Sequence, residues 1–145
     1  MMEIRPYIPG DDGDLTELMA DLGYPTTMDK MIQRMEVISA TPHCYTFVAV
    51  KDGAVVGMIG CRDIYYYEED GVVTQISILV TKQELQGQGI GKALVTFAEQ
   101  WAREKGSNAL YLTSGIKPER ERAHAFYKRM GFAVTGYRFV KPLKQ

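Results

Sequence analysis

Gln86-Gly87-Gln88-Gly89-Ile90-Gly91-Lys92 sets three alternate glycines between an apolar run, Ile76 to Val80, and a helically periodic stretch, Ile90 to Lys105. The chemistry open to such a segment is anion binding. Glycine lets the backbone approach a ligand closely. A helix start leaves unbonded N–H groups and partial positive charge. Strand, glycine turn and helix together make a cradle for a phosphate or pyrophosphate. A P-loop requires G-x-x-x-x-G-K-[ST], but Ala93 follows Lys92 and the glycine spacing differs. A dinucleotide site requires G-x-G-x-x-G with an acid about 20 positions on; the spacing here is G-x-G-x-G, and Tyr111 stands at that distance from Gly91. The pattern Q/R-x-x-G-x-G/A is met by Gln86, Gly89 and Gly91. The plain structural alternative is a glycine-rich turn that enters a helix.

The elements that would position this loop follow from periodicity. Glu3 to Tyr7 reads as a first strand. Asp11, Asp12 and Asp14 supply helix-capping acids, Leu15, Leu18, Met19 and Leu22 repeat at helical spacing, and Gly23 is the expected C′ residue. Thr26-Thr27 with Asp29 starts a second helix carrying Met28, Met31, Ile32, Met35 and Ile38 on one face. Tyr45 to Val50 and Val55 to Ile64 form a hairpin about a type I′ turn at Asp52-Gly53, with Cys44 opposite Cys61 if the register is regular. Val72 to Thr81 is the strand that feeds the glycine loop. A third helix runs from Ile90 to Lys105, with Arg103 and Lys105 at its negative end, and Gly106 stops it. Ala109 to Thr113 is a strand, and its crossover from the preceding strand makes a parallel pair. Pro118 to Met130 is a fourth helix, with Ala123, Phe126, Tyr127 and Met130 on one face, and Val134 to Val140 is a last strand. The order β-α-α-β-β-β-α-β-α-β is an α+β, three-layer arrangement. Its sheet is mixed and mostly antiparallel around a central parallel pair, in a single domain over 1–145.

Composition narrows the function. The 145 residues have 46% hydrophobic and 24% charged content, a globular balance. Seventeen basic against eighteen acidic residues leave a net charge of −1, which argues against nucleic acid or an anionic membrane as partner. No apolar run reaches membrane-span length, and Met1-Met2-Glu3-Ile4-Arg5 lacks a signal-peptide layout, so a cytoplasmic location is expected. Cys44 and Cys61 form no metal or CxxC pattern and are expected to be free thiols; no metal is expected.

The element order, the Q-x-x-G-x-G loop after the fourth strand and the segment Ala123-His124-Ala125-Phe126-Tyr127-Lys128-Arg129-Met130-Gly131-Phe132 together resemble the GNAT acetyltransferase superfamily. In that family this last segment reads A-x-x-[FL]-Y-x-x-x-G-F. Thr135-Gly136-Tyr137-Arg138-Phe139 is similar to the closing strand of small bacterial members, so the resemblance covers essentially the whole chain. It implies an acetyl-CoA-dependent N-acetyltransferase with a splayed central strand pair. The backbone of Leu79, Val80 and Thr81 would bind the pantetheine arm. The amides of Gln86, Gly87, Gln88, Gly89, Ile90, Gly91 and Lys92 would hold the pyrophosphate. Arg120, Ala123, Phe126 and Tyr127 would add cofactor contacts, although many members carry asparagine where Arg120 stands.

The implied reaction is direct acyl transfer from a thioester to a primary amine of a small molecule or peptide. Tyr127 takes the position of the general acid that protonates the departing thiolate, and the Leu79 N–H that of an oxyanion donor. The feeding strand carries no carboxylate. The base therefore lies among His124, Glu68, Glu69, Asp70 and a water held by Gln75 and Ser77. The tyrosines and acids of Tyr65 to Asp70 suit an amine-bearing acceptor. A non-catalytic acyl-CoA-binding sensor or partner module is the alternative, and a homodimer through the C-terminal strand is compatible with either.

Overall fold

A computed structural model describes residues 1–144, which fall into two compact units, one from Met1 to Tyr111 and another from Leu112 onward. The first unit holds β1 (Met2–Pro6), α1 (Asp12–Leu22), α2 (Met28–Ala40), β2 (Cys44–Lys51), β3 (Ala54–Ile64), β4 (Val73–Thr81), α3 (Ile90–Glu104) and β5 (Leu110–Tyr111). The five strands form one sheet in the order β1-β2-β3-β4-β5, antiparallel except for the β4–β5 pair.

Strand alternation sends successive side chains to opposite faces of this sheet. Val48, Met58 and Val80 point to one face and pack beneath Leu15, Leu18 and Met19 of α1 and Met31 and Met35 of α2. Of the methionines expected on the core face of α2, Met31 and Met35 are core, whereas Met28 is exposed. The other face takes α3, whose Ile90, Leu94, Val95, Ala98 and Ala102 are buried. Phe47 meets the Phe97 and Trp101 rings at 4.9 and 5.3 Å, and Tyr45 meets Trp101 at 4.8 Å. Gly57 on β3 sets how near α3 can lie. A Cβ there would stand 2.9 Å from Ile90 Cγ2 and 3.0 Å from Leu94 Cδ1, so the first turn of α3 rests on bare backbone.

Local signals held where their causes are local. Gly23 ends α1 with φ 102°, and Thr27 caps α2 by accepting from Lys30 N at 3.2 Å. Asp52 and Gly53 take φ values of 53° and 78°, the paired left-handed conformation of a type I′ turn.

Four expectations need correction. Asp11, Asp12 and Asp14 do not cap α1. Asp11 accepts two 2.9 Å bonds from the Arg5 guanidinium and one from Ile8 N, Asp12 accepts from the Tyr7 hydroxyl, and Asp14 accepts from Val55 N at 3.1 Å. These acids tie α1 to β1 and β3. Burial opposes the charge on Asp11, but the Arg5 and Ile8 hydrogen bonds outweigh it and hold the carboxyl below its ordinary range.

The hairpin is not regular. Ala49 pairs with Gly57 and Val50 with Val55, so Val56 is an inserted bulge residue. The register beyond it shifts by one. Cys44 faces Arg62, Cys61 faces Tyr45, and the two free cysteines point to opposite faces.

The strand expected over Ala109 to Thr113 is only Leu110–Tyr111, at the end of the sheet. In the second unit a 3₁₀ turn, Pro118–Arg120, leads into α4 (Glu121–Arg129). Gly131 at φ 94° closes this helix, with Gly131 N donating to Lys128 O and Phe132 N to Tyr127 O. Residues 134–140 form no strand; Val134, Tyr137 and Phe139 are exposed there. Strand propensity measures fit to a half-buried pleated surface, and these residues pair with no strand among the described residues.

Candidate active site

In the first unit the site is built on β4. One side of this strand pairs with β3 along its whole length, while the other pairs with β5 only through Thr74–Leu110 and Gln75–Tyr111. From Ile76 onward that second edge has no strand partner among the described residues. A bulge decides what the open edge presents. Gly60 pairs with Ile78 and Cys61 with Ile76, so Ser77 is the inserted residue, and it is exposed.

Before the bulge, Thr74 N donates towards β5, to Ala109 O at 2.9 Å; after it, Lys82 N donates towards β3, to Val56 O at 2.8 Å. Counting back from Lys82 in steps of two, Val80 and Ile78 also turn their backbone groups to β3. Leu79 and Thr81 turn both N–H and C=O to the open edge. Of the three β4 residues expected to contact a cofactor arm, Leu79 and Thr81 therefore offer backbone groups. Val80 gives its backbone to β3 and buries its side chain in the core.

The loop after β4 is anchored before it opens. Asp21 of α1 accepts from Gln83 N at 3.1 Å, and a 3₁₀ turn spans Gln83–Leu85. The Gln86 N–H bonds Gln83 O at 3.3 Å, whereas among the described residues the amides of Gly87, Gln88 and Gly89 bond no backbone oxygen. Gly87 and Gly89 have φ values of 83° and 86°, and a Cβ on either would meet nothing within 4 Å. Their requirement is conformational, since an L side chain in this region costs roughly 1–2 kcal/mol.

Gly89 is the N-cap of α3, with no side-chain cap and no acid in the first turn. By contrast α1 has Asp12 and Asp14 there, and α2 has Asp29. The ladder begins with Ala93 N to Gly89 O at 3.0 Å, which leaves the amides of Ile90, Gly91 and Lys92 as first-turn donors without intrahelical partners. Six consecutive amides, Gly87 to Lys92, are thus available to an anion at a helix N-terminus. The Lys92 side chain is exposed beside them.

The second unit carries the remaining candidates on α4. Tyr127 is half-buried, its ring 5.5 Å from Phe126 and 6.0 Å from Phe132. Burial raises its hydroxyl above the ordinary value of 10.0, against a smaller lowering by the Arg120 charge. Arg120 is the N-cap residue of α4, and Ala123 is half-buried one turn before Tyr127. His124 Nε2 lies 2.7 Å from Gly115 O, so that nitrogen donates and is committed to the backbone.

Glu68 and Glu69 are exposed in the irregular segment between β3 and β4, next to Asp70, whose carbonyl accepts from Asn108 Nδ2 at 2.8 Å. Gln75 does not stand unengaged, because its Oε1 accepts from Arg62 Nε at 2.5 Å. Arg62 and Tyr111, both beside Gln75, escaped the reading of the sequence. Only the cross-strand register brings them there. Among the described residues no group of three histidine, cysteine, aspartate or glutamate side chains is placed to hold a metal ion.

Comparison with known proteins gives the family and the fold. The family model described as "Acetyltransferase (GNAT) family" matches residues 14–132. Aminoalkylphosphonate N-acetyltransferase of Salmonella typhimurium is 34% identical over 102 residues, covering 70% of this chain and 65% of that protein. Among solved structures, a GNAT family acetyltransferase of Staphylococcus aureus superposes with a TM-score of 0.84 at 23% identity, covering 98% of both chains. An aminoglycoside N-acetyltransferase in complex with CoA superposes with a TM-score of 0.83 at 19% identity, covering 100% of this chain and 96% of that one.

Proposed function

Because the chain belongs to the GNAT family of acetyltransferases, we propose that it transfers an acetyl group directly from acetyl-CoA to a primary amine. The observation that carries this reading is the continuity of two binding features: an open β4 edge leads into a run of six unpartnered amides at the start of α3. Such an arrangement suits a long ligand with an amide-bearing arm at one end and a pyrophosphate at the other. The solved relative in complex with CoA supports the same choice of cosubstrate.

In the proposed reaction Leu79 and Thr81 pair with the arm, and the cradle from Gly87 to Lys92 holds the pyrophosphate. Leu79 N–H receives the oxyanion of the tetrahedral intermediate. Tyr127 gives its proton to the leaving thiolate, a role that its raised, protonated hydroxyl suits. His124 has its Nε2 engaged by Gly115, which leaves only its Nδ1 to accept a proton; the loop carboxylates Glu68, Glu69 and Asp70 and a water beside Ser77 are the other proposed paths for the amine's proton. Cys61 is no rival nucleophile: burial pushes its thiol up to about 12.

The acceptor is a small-molecule or peptide amine. The Salmonella relative is named for aminoalkylphosphonates and a structural neighbour for aminoglycosides, so both amine classes belong in the test. Thiol release from acetyl-CoA, assayed against aminophosphonates, amino acids, aminoglycosides, polyamines and short peptides, should depend on one class. Tight acetyl-CoA binding without release for any amine would instead support the non-catalytic binding module, the reading that the missing β4 carboxylate favours.

Two free cysteines and the absence of a helix long and apolar enough to cross a membrane among the described residues suit a cytoplasmic protein. The same proposal takes the protein as a homodimer. Tyr137 and Phe139, each about nine-tenths exposed, stand two apart on a strand-prone segment that is unpaired among the described residues, and a second copy is the partner that would cover them. A monomer mass by light scattering at micromolar concentration would refute the dimer.

A further inference from the structure

Arg62, Gln75 and Tyr111 stand side by side across three strands. Arg62 pairs with Gln75 in the β3–β4 register, and Gln75 pairs with Tyr111 in the β4–β5 register. Cross-strand partners share a face, and the alternation places this row on the face of α1 and α2. The neighbouring row, Asp63 and Thr74, points to the other face, where Lys105 meets Asp63.

Arg62 is exposed, yet its guanidinium is held, because Nε donates to Gln75 Oε1 at 2.5 Å. Among the described residues Arg62 lies within ion-pair distance of no carboxylate, and the Gln75 contact is its one side-chain hydrogen bond. Tyr66 borders the row, its ring 6.2 Å from that of Tyr111. The result is a charged fork with its plane oriented by one neutral hydrogen bond, its terminal nitrogens unpaired, and two phenol rings beside it.

A solvated surface arginine has no need of an orienting glutamine. A guanidinium oriented through Nε and open at its two terminal nitrogens is shaped to take an oxyanion through parallel hydrogen bonds. Its position also has consequences. Gln75 is the last β4 residue paired with β5, and Ser77 lies two residues on, about 6–7 Å along a strand. An oxyanion on Arg62 therefore brings an amine on a short linker to where the strands part.

We propose that Arg62, positioned by Gln75 and bordered by Tyr111 and Tyr66, binds an acidic group of the acceptor. The substrate is then a compact amine that also carries a carboxylate or phosphonate-like oxyanion, not a polycation. The inference rests on the acetyl-transfer reading for the fate of the amine, whereas the anion contact can be measured without turnover.

The test sets an anionic amine against its neutral amide and adds a phosphonate and a polycation. β-Alanine and 2-aminoethylphosphonate are assayed with acetyl-CoA beside β-alaninamide and spermidine, in wild type, Arg62→Gln and Arg62→Lys. Binding of 2-aminoethylphosphonate to the same proteins is followed by calorimetry. The expected result is a kcat/KM ratio favouring the anionic amines, lowered about 10- to 100-fold in Arg62→Gln and less in Arg62→Lys, which keeps the charge but loses the fork. Preference for β-alaninamide or spermidine, or a ratio that Arg62→Gln leaves unmoved, would overturn the anion site while leaving acetyl transfer in place. If no amine is acetylated but 2-aminoethylphosphonate binds in an Arg62-dependent way, the site stands and the transfer reading falls. Absence of both turnover and Arg62-dependent binding overturns both.

Discussion

Replacing Tyr127 with phenylalanine is expected to lower kcat by about 10²- to 10⁴-fold, the usual worth of a positioned general acid. Acetyl-CoA affinity should change little. The substitution removes one oxygen and keeps the ring that packs against Phe126 and Phe132, so the fold and the anion cradle should remain. Without the hydroxyl, the departing thiolate must take its proton from water. The pH profile gives a second readout. A group whose proton is needed supports activity below its pKa and loses it above. Burial raises Tyr127 beyond 10.0, so the wild-type alkaline limb assigned to this residue should lie above the ordinary tyrosine range and vanish in Tyr127→Phe. An unchanged kcat in the variant would reduce Tyr127 to a packing residue.

The largest effect on stability is expected from Lys105→Met. Lys105 Nζ lies 2.5 Å from Asp63 Oδ2, with the aspartate side chain 5% and the lysine 23% exposed. The ammonium also sits 4.4 Å from the Tyr45 ring centroid and 4.3 Å from that of Trp101. Thr74 Oγ1 stands 3.4 Å from the other Asp63 oxygen and 2.9 Å from Ser107 Oγ. This cluster fastens the end of α3 to β3 and β4.

Removing the lysine leaves a buried carboxylate with only the His43 imidazole, 3.8 Å from Asp63 Oδ2, beside it, and loss of such a partner costs about 3–5 kcal/mol. That corresponds to a fall in Tm on the order of 10 °C for a chain of this size. Asp63→Leu combined with Lys105→Met should recover most of the loss, since an apolar pair of similar volume is often as stable as a buried ion pair. Chemical denaturation of the three variants measures this. A loss under about 1 kcal/mol in Lys105→Met would place the pair with ordinary surface salt bridges.

Neither the Lys105 clamp nor the Arg62 row was legible in the sequence, and the reason is the same for both. Lys105 reads locally as a cation at a helix C-terminus. Its partner Asp63 is 42 positions away and is found only once α3 lies across the sheet. Arg62 and Gln75 meet because the Ser77 bulge sets the register between β3 and β4, as the Val56 bulge sets that between β2 and β3. One inserted residue reverses the facing of every position beyond it, and no local signal marked either insertion. The Ser77 bulge also turns the Leu79 and Thr81 amides to the open edge. The Val56 bulge parts Cys44 from Cys61, which a regular hairpin would have set opposite each other.

What the sequence determined alone are features whose energetics lie within a few neighbouring residues. Gly23 and Gly131 end helices because they adopt a left-handed φ, Asp52-Gly53 turns a hairpin for the same reason, and Thr27 caps α2 through the amide three residues on. The apolar stripe of α3 shows in its spacing, and the cradle before it shows because glycine φ values and unbonded first-turn amides are local properties. Residues 134–140 mark the limit of such reasoning: their composition suits a strand, but a strand exists only when another edge accepts its hydrogen bonds. Register, bulges and ion pairs depend on how both sheet faces pack at once, and only the tertiary structure decides them.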